Sequence, residues 1–143
     1  MSNCIENTQH VSRYLIPEDQ RLAHVERLFG LHFPLHLEPF VYGITDRITA
    51  DYHGGYWHFY TLDNGGFYMA PDDDRVFAAQ CLNYWQGKLS ADALGITACL
   101  YAYSNLSFYQ NETFGRLMAD HYHWLRDYMF EHPEAAAILG AID

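Results

Sequence analysis

Any chemistry in this chain would have to reside in its histidine, cysteine and carboxylate side chains. There are nine histidines, three cysteines, and 18 acids against 8 bases. His121 and His123 form an H-x-H pair. On a helix, residues two apart point about 200° from each other and cannot chelate one ion. A strand would allow it, but the periodicity around the pair is helical. His32 and His36 are four apart, yet Pro34 stands between them. His53 and His58 have no third ligand near them in sequence. Zinc needs three or four converging ligands, so no metal site is expected. Cys4, Cys81 and Cys99 show no CxxC spacing. Cys81 and Cys99 sit among apolar neighbours, as inert core thiols do. A Cys–His nucleophile would need partners that converge only in three dimensions. Gly54-Gly55 and Gly65-Gly66 match neither P-loop nor dinucleotide spacing and read as turns. No catalytic residue and no cofactor are expected.

The acids are scattered. Asp72, Asp73 and Asp74 form the longest run, without the glycine and distal glutamate of an EF-hand loop. They read as a solvated loop or a partner contact. Asp120, Asp127 and Glu131 share the outer face of a predicted helix. The last two are about 6 Å apart along the axis, roughly one phosphate step. Arg116, His123 and Arg126 interrupt that face, so the pattern of a DNA mimic is weak. The net charge is −10. A surface that negative repels phosphate backbones, and direct nucleic-acid binding is not expected. Tyr56, Trp57, Phe59, Tyr60, Phe67 and Tyr68 resemble a base-stacking platform, but the charge opposes that role and core packing accounts for them.

The elements that must position these residues centre on YWHFYTLDNGGFYMAP, from Tyr56 to Pro71. Asn64-Gly65 predicts a two-residue hairpin turn, because such turns need positive φ at both central positions. Leu62 would then face Phe67 and Tyr60 would face Met69. Both faces of this hairpin are largely apolar and need cover; an uncovered face would be a partner-binding candidate.

A short edge strand is predicted within His10–Ile16. Pro17-Glu18-Asp19 reads as a helix start, Leu22, Val25, Leu28 and Phe29 as its apolar stripe, and Gly30 as its stop. Two prolines make Leu31–Pro39 an irregular connection. A second helix is predicted from about Glu38 to Tyr52. Val76–Cys81 and Leu82–Gln86 are candidate third and fourth strands. Ser90 is a good N-cap for a helix from Ala91 to about Phe108. That helix is apolar nearly all round and therefore buried. Asn111 caps another, with Phe114, Leu117, Met118, His121, Leu125, Tyr128 and Met129 on one face. His132-Pro133 stops it, and a last helix covers Ala135–Ile142. Clustered strands between helices indicate an α+β fold: a small antiparallel sheet of three to four strands, with its central hairpin at residues 56–70, packed against several helices.

One domain over residues 1–143 is expected, with residues 1–9 a flexible tail. An odd cysteine count without a secretory signal fits a reducing, cytoplasmic setting. The longest apolar run, Ala93–Tyr103, is too short to span a bilayer, and no membrane association is expected.

Three stretches carry a resemblance: the hairpin itself, LSADALGITACLYAYSNLSF from Leu89, and HYHWLRDYMFEHPEAAAILGAID from His121. They resemble the ArdB/KlcA family of antirestriction proteins. GGFYMAP, LSADA and HPEAAAI are the most specific parts, and residues 1–40 carry less. The resemblance implies a small cytoplasmic α+β protein of plasmids or other mobile elements that relieves type I restriction of unmodified incoming DNA. It implies an activity without implying catalytic residues. The expected function is non-catalytic inhibition of a type I restriction–modification enzyme, directly or through a host factor, with a homodimer possible. The alternatives are a partial DNA mimic competing for that enzyme, or a small enzyme with an unrecognised site. Asp72, Asp73, Asp74, Glu134 and Asp143 are the expected partner contacts, as polar groups without a core role.

Overall fold

The computed structural model describes residues 10–143; the tail expected at residues 1–9 lies outside the described residues. Strand β1 (Arg13–Leu15) is followed by a 3-10 turn at Glu18–Gln20 and helix α1 (Arg21–Phe29). A π-helical turn, Phe33–Leu37, runs straight into α2 (Glu38–Ile48). Strands β2 (Trp57–Leu62), β3 (Phe67–Pro71), β4 (Val76–Gln80) and β5 (Gln86–Ser90) come next. Helices α3 (Ala91–Leu106), α4 (Glu112–Met129) and α5 (Ala135–Ile142) complete the chain. The fold is α+β. Among the described residues, no helix is long and apolar enough to cross a membrane.

The strands form two antiparallel sheets, β1-β2-β3 and β4-β5, where one sheet was expected. The central hairpin is where predicted, but its register is shifted by one: Thr61 faces Phe67 and Tyr60 faces Tyr68. The loop has three residues. The Gly65 amide donates to Leu62 O (3.0 Å), the Leu62 amide donates to Gly66 O (2.9 Å), and Gly65 takes φ +105°. That is a tight turn closed by a left-handed glycine. The shift puts Trp57, Phe59, Phe67 and Met69 on one face and His58, Tyr60, Tyr68 and Ala70 on the other.

Both faces are covered. On the first, Phe29 and Phe33 pack edge-on against Phe67, and Tyr42 and Tyr52 pack against Trp57. On the second, Tyr128 of α4 stacks on Tyr68, and the Trp124 ring lies over the turn at Gly65. Helix α3 runs along the open edge of β3. The Tyr103 hydroxyl donates to Phe67 O (2.7 Å) and the Cys99 thiol to Met69 O (3.7 Å). A strand edge that would otherwise expose unpaired carbonyls is thereby closed by side chains. The helix is buried over most of its circumference, with Leu94, Ile96, Ala98, Cys99, Leu100 and Tyr103 at 0% exposure. Each fully buried Leu or Ile contributes ~1.5–3 kcal/mol.

Three expectations are corrected. Of the strand expected at Leu82–Gln86, residues 82–85 are the connection of the second hairpin; the strand is Gln86–Ser90. The connection expected at Leu31–Pro39 is helical from His32 onward, and Pro34 falls in the first helical turn, where the missing amide has no partner to lose. Leu22, assigned to the buried stripe of α1, is 84% exposed, while Val25 and Phe29 are buried.

Candidate functional site

The three motifs that carry the resemblance meet at one point. Tyr68 comes from GGFYMAP, Asp92 and Ser90 from LSADA, and His132 and Glu134 from HPEAAAI. Each is placed by local structure. Ser90 caps α3, its Oγ accepting from the Ala93 amide (3.1 Å). Asp92 therefore stands in the first turn, where the helix dipole favours a carboxylate. His132 lies in the bend between α4 and α5, and β3 carries Tyr68 beneath α4.

Asp92 is the hub. Its Oδ1 accepts from the Tyr68 hydroxyl (2.8 Å) and from Arg13 Nη1 (2.8 Å). Its Oδ2 bonds His132 Nε2 (2.9 Å). Arg13 Nη1 also donates to the Tyr68 oxygen (2.7 Å), and its guanidinium lies 4.3 Å from the Tyr60 ring centre. Tyr60, Tyr68 and Tyr128 stack in series, with centroids 4.9 and 5.6 Å apart. Burial alone would push the Asp92 carboxyl up; hydrogen bonds from His132 and Tyr68 and the Arg13 charge outweigh it and hold the group below the ordinary carboxylate value. Burial, with the Asp92 charge, pushes the Tyr68 phenol far up, so it stays protonated and donates.

His132 Nδ1 accepts from the Glu134 amide (3.0 Å), so one tautomer serves both bonds, with Nε2–H donating to Asp92. Glu134 then accepts from the Ser90 amide (2.9 Å) and the Ser90 hydroxyl. The bend before α5 is thus tied to the first turn of α3 by two carboxylates, one from each side. A shallow cleft of about 370 Å³ borders the cluster, lined by His10, Ser12, Arg13, Tyr128, Glu131 and His132. A histidine beside a carboxylate next to a cleft is an arrangement that enzymes use. Here both imidazole nitrogens are engaged inside the protein, and among the described residues no serine, threonine or cysteine hydroxyl or thiol bonds the ring. The arrangement holds elements together.

The expected partner contacts do not converge. Asp72 is exposed and 3.2 Å from His58 Nε2. Asp73 turns back to chelate Arg75 in its own loop, with its Oδ2 2.9 Å from Nη2. Hydrogen bonds from Arg75 hold the Asp73 carboxyl below its ordinary value. Asp74 and Asp143 are exposed. Glu134 departs from the premise: it is half-buried and occupied by Ser90. Asp120 and Asp127 are exposed on α4, whereas Glu131 lies beyond the helix end and bonds His10 Nδ1 (2.7 Å), so the three form no continuous acidic rail. His121 is buried and His123 exposed, pointing apart as helical geometry requires. Among the described residues, no three of the His, Cys, Asp and Glu side chains are grouped as metal ligands.

The family model for antirestriction proteins matches residues 50–143. The chain is 42% identical to an antirestriction protein KlcA of Escherichia coli, covering 94% of this chain and 96% of that one. A second KlcA of Escherichia coli is 45% identical, with 90% of each covered. A solved structure superimposes with a TM-score of 0.87 at 40% identity, covering 96% of this chain and 99% of the other. It belongs to work describing the KlcA and ArdB proteins as a novel fold with antirestriction activity against Type I DNA restriction systems in vivo but not in vitro. With its three marker motifs joined in one cluster and 90–94% of its length matched by relatives 42–45% identical, the chain belongs to the antirestriction protein family.

Proposed function

We propose that this protein relieves type I restriction of unmodified incoming DNA by binding a protein partner in the cytoplasm, without catalysing a reaction. One observation carries the reading: the near full-length match, at a TM-score of 0.87, to proteins active against Type I DNA restriction systems in vivo but not in vitro. Activity that needs the cell points to a factor the cell supplies. The partner is then the restriction enzyme in its cellular state or a host factor associated with it. Two features of this chain support a binding role. His132 has no nitrogen left for proton transfer to a substrate. The acids are dispersed over separate loops and helix faces, so competition with DNA by mimicry has little to build on. Asp72, Asp73, Asp74 and Asp143 remain proposed contacts; Glu134 would contribute only through the bend it fixes.

The test is phage plating. Unmodified phage is plated on a host carrying a type I system, with and without the protein expressed. Plating efficiency should rise toward that of modified phage, while methylation of surviving DNA is unchanged. Cleavage by purified enzyme should resist the purified protein and yield to it only after cell extract is added. Soluble, folded protein that leaves plating efficiency unchanged would overturn the assignment.

A further inference from the structure

The Asn64-Gly65 pair that turns the central hairpin carries a reactivity that its turn role does not use. Of the six asparagines in the chain, Asn64 alone precedes a glycine. Asparagine before glycine is where a chain deamidates most readily, because no Cβ shields the following amide nitrogen. That nitrogen, once its proton passes to a solvent base, attacks the asparagine Cγ. A bond forms between Gly65 N and Asn64 Cγ, the bond from Cγ to Nδ2 breaks, and Nδ2 leaves with a solvent proton as ammonia. The chain then holds a succinimide. Water opens the ring at either carbonyl, giving aspartate or, with the backbone rerouted through the side chain, isoaspartate. Nothing is oxidised or reduced, and water is the co-reactant.

In the folded chain each group that this step needs is held. The Gly65 amide, whose proton must leave, donates to Leu62 O (3.0 Å). Asn64 Nδ2, the leaving group, donates to Trp124 O (2.9 Å). Asn64 Oδ1 accepts from the Gly66 amide (3.0 Å), which stops the side chain from rotating. The Trp124 ring covers the turn, with its nearest atom 3.5 Å from where a Gly65 Cβ would stand. The hold on the leaving group and the cover both come from α4, 60 residues along the chain. We propose that Asn64 is a deamidation site shielded by the docking of its turn on α4, so that release of this contact opens it to irreversible conversion. Conversion removes the Nδ2 donor and sets a carboxylate oxygen against Trp124 O, and isoaspartate also lengthens the backbone of the turn. Both products oppose redocking, so a turn that has once let go is permanently marked. The inference concerns the chain's own chemistry and does not rest on the antirestriction reading.

The test incubates the full chain in mildly alkaline buffer, folded and in urea. Asn64 is followed by peptide mapping with mass detection, and isoaspartate by enzymatic methylation. The folded chain should convert about tenfold or more slowly than the unfolded one, since the site reacts only while open. Trp124→Leu keeps an apolar side chain on α4 but removes the ring from the turn, and it should speed conversion of the folded chain several-fold. Ile138→Ala is the control. Ile138 is fully buried in α5, and its truncation lowers the stability of the whole molecule without touching the turn. With the two variants matched in unfolding free energy by added urea, Trp124→Leu should still convert faster. Asn64→Asp, the simpler product, should melt below the wild type. Equal conversion of folded and unfolded wild type overturns the proposal, because nothing then shields the site. Equal conversion of the two matched variants also overturns it, because unfolding of the whole molecule and not release from α4 would then open the site. An unchanged melting temperature for Asn64→Asp overturns the effect on docking.

Discussion

His121 is 1% exposed, packed against Phe29, Tyr103 and Trp124, and its Nδ1 has no hydrogen-bonding partner among the described residues. Burial lowers its pKa from 6.5 to about 4. The unfolded chain therefore binds a proton that the folded chain refuses between those values. Stability falls as pH falls through that window and is unaffected by this group above pH 6.5. The full loss is roughly 3 kcal/mol. Urea denaturation from pH 7 to pH 4 should show the decline, and His121→Phe should flatten it. His132 is a different kind of residue. Its position was legible as a helix stop, but its bond to Asp92 was not, because 40 residues separate the two and nothing local couples them. Tyr68 was legible as a core residue by its apolar neighbours. That its hydroxyl closes a polar cluster depends on β1 and α3 arriving beside it.

At the scale of elements, propensity and packing disagree over glycine, and packing decides. Gly95 sits inside α3, where alanine would be favoured by ~1 kcal/mol on propensity. A Cβ there would meet Met69 O at 2.4 Å and Ala70 Cα at 2.5 Å, both on the β3 backbone, which cannot yield as a side-chain end does. Gly95→Ala should destabilise by about 3 kcal/mol or more. Gly43 in α2 has nothing within 4 Å of the same position, and Gly43→Ala should stabilise by ~1 kcal/mol. Thermal melts of the two variants check both signs. The same division explains what the sequence made readable. Ser90 and Asn111 cap their helices as predicted, since each cap is a bond three residues long. The hairpin register was not fixed by the Asn64-Gly65 pair alone. Asn64 reaches out to Trp124 O (2.9 Å) and back to the Gly66 amide (3.0 Å), and this tertiary anchor selects the three-residue loop over the two-residue one. The β4-β5 boundary misled for a related reason. Trp85 looks like strand, but its ring folds over Gly87 and against Gly140, so the chain turns there and the less strand-prone QGKLS pairs instead.

For the whole molecule, charge and topology act together. Asp72→Asn, Asp73→Asn and Asp74→Asn together remove three of the 18 acids from one loop. If that loop touches the partner, the triple variant should lose protection in the plating assay while its melting temperature stays put. A coincident loss of melting temperature would show that the loop is needed for the fold instead. The Asp92 cluster draws on residues from position 13 to position 134, so it assembles only from segments that are distant along the chain. Contacts of that kind are made late, after the costly closure of long loops. Asp92→Asn should therefore leave the refolding rate of the protein nearly unchanged and speed its unfolding, which stopped-flow measurements across a urea series would resolve. The bonds that gather the three motifs then set how long each folded copy lasts, more than how soon it forms.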